Sequence, residues 1–286
     1  MTALDLRPLS LGELLDRTFF LYRRNFLLFI GIAGIPYLFL LGMSLGPILV
    51  LVLAPVRLAS SAMAAGAVVG IILLIASFLV AMLFSVGATV FAVAEIYSGH
   101  PATIRGSFRL VRGKVGTILG VMILSMLYVF GGFLLLIVPG IILMCRTPAA
   151  TAAALIEDLG PVDAIRRSLD LTKGFAGRAF MIILLTAALN MGVAAVLQLP
   201  FFFLIAVSAK QPQLVILWTV LMQVGSVLGS VIVTPVSTIG FALYYYDLRV
   251  RKEAFDLQMM MQAIGGSPLP PPITGGVPSM FGRDAS

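Results

Sequence analysis

Long apolar runs alternate along this chain with short segments in which apolar and basic positions recur at helical spacing. The apolar runs fall near 26–46, 63–97, 115–137, 141–157, 179–207 and 214–246. About 20 residues at about 1.5 Å each cross a hydrocarbon core of about 30 Å, so the runs read as transmembrane helices. The run at 63–97 is longer than a crossing needs and must tilt, bend or project from the bilayer. Pro36 and Pro235 are expected to kink the first and last spans. The run at 141–157 is the odd one: its apolar part is short, Arg146 lies well inside it, and Thr147-Pro148 interrupts it directly afterward. Pro139-Gly140, just before it, reads as a turn without a polar loop.

The short segments, near 10–24, 101–113 and 161–174, read as basic amphipathic helices. In the first, Ser10-Leu-Gly-Glu13 is a capping box, and Leu11, Leu14, Leu15, Thr18, Phe19 and Tyr22 form the apolar stripe. That helix either lies in the headgroup plane or packs on a neighbour. In the second, Pro101 suits a first helical turn, and Arg105, Arg109 and Arg112 run beside Ile104, Phe108 and Val111. The third, GPVDAIRRSLDLTKG from Gly160 to Gly174, aligns with the second without a gap: Ile104 with Ile165, Arg105 with Arg166, Ser107 with Ser168, Gly113 with Gly174. A fainter copy places Leu15, Arg17, Thr18 and Leu21 opposite Ile165, Arg167, Ser168 and Leu171.

The expected architecture is therefore all-α and polytopic, with about six transmembrane segments in three units, each an amphipathic helix feeding a membrane hairpin. It occupies 1–257, and 258–286 is expected to be a flexible Pro/Gly-rich tail. Segment 47–59, which either stays outside or dips partly back into the membrane, and segment 210–213 are outer connections, and Tyr244-Tyr245-Tyr246 closes the last span as an aromatic girdle.

Composition agrees: the chain is 60% hydrophobic and 11% charged, far from a soluble domain. A net charge of +7 would point to nucleic acid in a soluble protein, but the basic residues are confined to the segments between spans. The positive-inside rule accounts for that without a nucleic-acid partner and puts both termini in the cytoplasm, with the first span uncleaved. Cys145 is the single cysteine, so no intrachain disulfide forms, and the single histidine, His100, reads as a loop residue.

Arg146 is the sharpest candidate, because a guanidinium at hydrocarbon depth must face protein, water or an anion. It either binds a phosphate headgroup or anionic substrate, or it snorkels or pairs with a carboxylate, Glu95 among them. Gln223, Ser226, Ser230, Thr234 and Ser237 form a polar stripe along the last span, which Asn190 of the preceding span can meet. The stripe is either a polar path through a transporter or helix packing with local hydroxyl back-bonding. Arg105, Arg109, Arg166 and Arg167 either recruit anionic lipid or only set topology. Four G-x-x-x-G pairs, Gly42/Gly46, Gly66/Gly70, Gly116/Gly120 and Gly225/Gly229, are within chance expectation at this glycine content and carry no dimerisation signal. No catalytic constellation or cofactor motif can be assembled, so the expectation is a protein that is not an enzyme and takes no cofactor.

Four stretches together resemble the family of bacterial polytopic proteins named for the membrane domain of glycerophosphoryl diester phosphodiesterases. They are LSLGELLDRTFFLYRRN (Leu9 to Asn25), VPGIILMCR (Val138 to Arg146), GPVDAIRRSLDLTKG, and YYDLRVRKE (Tyr245 to Glu253). The resemblance implies a stand-alone membrane domain in the bacterial inner membrane. It does not bring the phosphodiesterase activity, which needs a soluble barrel with a His, Glu and Asp metal site that this chain does not supply. Membrane lipids, anionic ones above all, are the expected partners, and the two functional readings are a lipid-engaging scaffold or accessory and a transporter subunit for a small or lipid-like anion.

Overall fold

The computed structural model describes residues 9–53 and 60–253, and every regular element in them is an α-helix. In order these are α1 (Leu11–Arg24), α2 (Phe26–Leu53), α3 (Ser60–Tyr97), α4 (Ile104–Leu135), α5 (Ile137–Arg146), α6 (Ala150–Ile156), α7 (Pro161–Thr172), α8 (Ala176–Val207) and α9 (Pro212–Glu253). Six stretches are long and apolar enough to cross a membrane, which makes the chain a multi-pass helical membrane protein.

Local chemistry sets the helix starts. The Glu13 amide donates to Ser10 Oγ at 3.3 Å while the Ser10 amide donates to Glu13 Oε2 at 2.7 Å, the reciprocal capping box that starts α1. Thr103 caps α4 by accepting from the Gly106 amide at 3.2 Å, and Pro161 opens α7, where a missing N–H costs nothing. Asn25 alone separates α1 from α2, its amide and its side chain both donating to the Leu21 carbonyl.

α9 is the axis of the molecule, packing against α1, α2, α3, α6, α7 and α8. Its partners meet it where side chains are absent. A Cβ on Gly225 would lie 3.0 Å from the Leu197 carbonyl oxygen, and one on Gly240 would touch Ile182 and Thr18. Thus α8 runs along α9, and α1 crosses it at Gly240. α9 passes through Pro235 without interruption, and Tyr22 Oη donates to the Ile232 carbonyl at 3.0 Å, next to the Val231 carbonyl that the proline leaves without a helical donor.

Several expectations change. The basic segment at 101–113 is not a separate surface helix: it is continuous with the following span in the 32-residue α4. Its partner in the alignment, 161–174, does end, because Gly174 turns the chain at φ +87°. The turn before α5 is at Leu136, extended at φ −168°, and Pro139-Gly140 lies inside the first turn of α5. The run at 141–157 divides into α5 and α6 at Thr147–Ala149. α9 absorbs both the outer residue Pro212 and the basic segment after the tyrosines. Those tyrosines are no lipid-facing girdle: Tyr244, Tyr245 and Tyr246 are buried in the protein core. The amphipathic stretch and tail beyond Glu253, and 54–59 of the first outer connection, lie outside the described residues.

Candidate functional site

The described chain concentrates its charge on one face. It is formed by α1, the start of α4, α6, α7, the start of α8 and the end of α9. Two carboxylate knots hold it together. Asp247, whose side chain is wholly buried, accepts from the Leu9 amide at 2.8 Å, Arg178 Nη1 at 2.7 Å and Arg251 Nε at 2.9 Å. Both arginines also donate to the Leu9 carbonyl, so the chain entering α1 is clamped between α8 and α9. The second knot centres on Glu157, which accepts from Arg167 Nε at 2.8 Å and from Tyr245 Oη at 2.6 Å. Arg167 also pairs with Glu253, which in turn accepts from Arg249 Nε at 3.1 Å. Burial opposes the charge on Arg167, but the hydrogen bonds and charges of Glu157 and Glu253 outweigh it and hold its pKa above the usual value. Tyr97 stacks on Tyr246 beside these knots, ring centroids 4.5 Å apart.

These knots sort the arginines. Arg167, a candidate lipid contact by sequence, is a structural ion-pair residue. Arg105, Arg109 and Arg166 are exposed, as is Arg112, and among the described residues none has a carboxylate or hydrogen-bond partner. Arg105, Arg109 and Arg112 project from α4 while its other side packs inward: Val111 is buried, Phe108 meets Phe84 at 6.1 Å, and Ile104 fills the space over Gly31. On α1, Leu14, Thr18, Leu21 and Tyr22 face the core while Phe20, Arg23 and Arg24 are exposed, with the Arg24 guanidinium 6.0 Å over the Phe20 ring. With its core-facing side α1 packs on α9.

Arg146 sits at the end of α5, against α7. Its Nη2 donates to the Leu169 carbonyl at 2.8 Å, and its own carbonyl accepts from Ser168 Oγ at 2.7 Å and Thr172 Oγ1 at 3.3 Å. Among the described residues it pairs with no carboxylate, and its Nε is buried without a hydrogen-bond partner. Glu95 is not its counter-ion; Glu95 Oε2 is itself buried and unpartnered.

The polar stripe of α9 divides. Its Gln223 and Thr234 edge faces α2: Gln223 Nε2 donates to Ser44 Oγ at 3.2 Å, and Thr234 Oγ1 and Tyr37 Oη lie 3.1 Å apart. Ser226 and Ser230 face α8 instead, where with Asn190, Gln198 and Gly229 they line a cleft of about 250 Å³. Ser230 back-bonds to the Ser226 carbonyl, and Asn190 Nδ2 to the Thr186 carbonyl at 2.9 Å. Asn190 therefore does meet part of the stripe, and no charged side chain lines the cleft.

No family model, no curated protein and no solved structure matches this chain. Among the described residues, no group of His, Cys, Asp and Glu is placed to hold a metal ion. The sequence reading missed both carboxylate knots and Gln198. The i, i+4 spacings of Asp247 with Arg251 and of Arg249 with Glu253 were a readable signal, whereas Leu9, Glu157, Arg167 and Arg178 join them only through tertiary packing.

Proposed function

We propose that this chain is a non-enzymatic membrane scaffold or accessory that engages anionic phospholipid headgroups, with its charged face cytoplasmic. The observation that carries this is the sorting of the arginines. Acidic groups neutralise Arg167, Arg178, Arg249 and Arg251 within the fold, whereas Arg105, Arg109 and Arg112 are left as an exposed row on α4. A basic residue near an anionic leaflet contributes about 1 kcal/mol, so the row is a lipid-directed surface that the fold does not use internally. The positive-inside rule gives the orientation, and the resemblance to the phosphodiesterase membrane-domain family agrees with a stand-alone membrane unit.

A second reading, a transporter subunit for a small or lipid-like anion, has two observations in its favour: the unpartnered Nε of Arg146 and the polar cleft between α8 and α9. Against it, Gln223 and Thr234 are engaged with α2, and the cleft offers an anion no positive charge. Reconstitution with labelled anionic phospholipids and glycerophosphodiesters separates the two. The scaffold reading expects lipid binding without vesicle uptake, unchanged by Arg146→Ala and weakened when Arg105, Arg109 and Arg112 are neutralised. Uptake that disappears in Arg146→Ala would overturn it in favour of transport.

A further inference from the structure

The hairpin of α4 and α5 differs from the other helix pairs in reach. Arg146, at the end of α5, is bonded to Leu169 and Thr172 of α7, and Phe175, just beyond α7, accepts from Tyr244 beside the Arg178–Asp247 pair. Arg146 therefore sits at the charged face. α5 has 10 residues, so it carries the chain about 15 Å away from that face, half of a hydrocarbon core of about 30 Å. α4 is still at that face at Gly120, where a Cβ would meet Pro161 of α7. Only Gly120 to Leu135 therefore extends beyond it, about 23 Å, whereas α8 leaves the same face with 32 residues, about 48 Å, enough to reach the far side.

The tip has the chemistry of a bilayer interior. From Val129 to Cys145 the chain carries no charged, amide or hydroxyl side chain, whereas the α8–α9 connection holds Ser208, Lys210 and Gln211. Leu134, Leu135, Leu136, Ile137 and Val138 are 66–76% exposed. At the break both backbone groups of Leu136 are paired: its amide donates to the Gly132 carbonyl at 3.1 Å, and its carbonyl accepts from the Gly140 amide at 3.2 Å. Pro139 has no N–H to satisfy. The arms close on each other at glycine, where a Cβ on Gly132 would lie 3.0 Å from Gly140 Cα. An apolar, exposed tip whose central residue pairs both of its backbone groups suits lipid, where an unpaired backbone group costs several kcal/mol.

We propose that α4 and α5 form a re-entrant hairpin that enters and leaves from the charged face, and that the surface from Leu134 to Val138 contacts lipid acyl chains near the middle of the bilayer. The chain then crosses the membrane four times, with α2, α3, α8 and α9, and places the hairpin in the leaflet whose headgroups the α4 arginines meet.

Single cysteines at Leu136 and at Lys210, each in a Cys145→Ala background and in proteoliposomes, test the topology with a membrane-impermeant maleimide applied to either side. Leu136→Cys is expected to react from neither side until detergent is added, whereas Lys210→Cys reacts from one side. Should the cysteine variants fold poorly, Leu136→Trp in a Trp218→Phe background gives the depth through quenching by lipids brominated at successive acyl positions. Quenching is expected to peak at mid-chain and terminal positions. Labelling of Leu136→Cys from the side that labels Lys210→Cys overturns the proposal, as does quenching that peaks near the headgroups. Absence of quenching at every depth overturns it too, since the tip would then be covered by protein.

Discussion

Asp247 shows how a single side chain organises the charged face. It is wholly buried, it accepts from Arg178, Arg251 and the Leu9 amide, and all its partners lose their acceptor together if it is removed. Breaking a buried, hydrogen-bonded ion pair from one side costs about 3–5 kcal/mol, because the remaining charge stays desolvated. Asp247→Ala is expected to lose stability in that range by steric-trap unfolding in bicelles. Arg105→Gln is expected to change stability by less than about 0.5 kcal/mol, the usual size for an exposed position without partners. One of the three partners of Asp247 was legible, since Arg251 follows one helical turn later. Arg178 and Leu9 were not, because nothing local to either segment specifies that α8 and the chain before α1 converge on α9. Arg146 was singled out for its position among apolar residues. Its partners are the Leu169 carbonyl and the Ser168 and Thr172 hydroxyls of α7, which no spacing rule supplies.

Elements were read well where lipid dictates them and less well at their joints. The apolar runs predicted helices because a spanning segment must satisfy its own backbone, and helices occupy all of them. The joints depend on glycines and prolines whose local sequence permits more than one outcome. Gly113 and Gly174 are aligned positions, yet α4 continues through the first and the chain turns at positive φ at the second. The glycine pairs behave similarly. Gly42, Gly66 and Gly116 face open space, whereas Gly225 and Gly229 seat α8 within the same chain. This makes two substitutions informative. Gly132→Leu must displace backbone of α5 at Gly140 and is expected to destabilise the hairpin by about 1–3 kcal/mol, as overpacking does. Gly116→Ala meets nothing and is expected to stabilise α4 by roughly 0.5–1 kcal/mol through helix propensity. Both are checked by the same unfolding measurement, and a neutral Gly132→Leu would mean that the arms of the hairpin do not touch.

At the scale of the whole molecule, the class was readable from composition and period, and the division of labour among charges was not. Sequence shows basic segments between spans; only the fold shows that Thr18, Ser107 and Ser168, which align across the three segments, are each buried, while the arginines around them divide into neutralised and exposed sets. The exposed set makes the molecule a one-sided electrostatic surface, whose lipid preference should weaken in salt as the Debye length falls from about 10 Å at 0.1 M to about 3 Å at 1 M. The most direct test of the account is the association of spin-labelled phosphatidylglycerol and phosphatidylcholine with the reconstituted protein. Phosphatidylglycerol is expected to be preferred, and replacing Arg105, Arg109 and Arg112 together by Gln is expected to lower the preference by at least roughly fivefold, the factor that about 1 kcal/mol from one basic residue gives. Equal association of the two lipids with the wild-type protein, or a preference that survives the triple replacement, would contradict it.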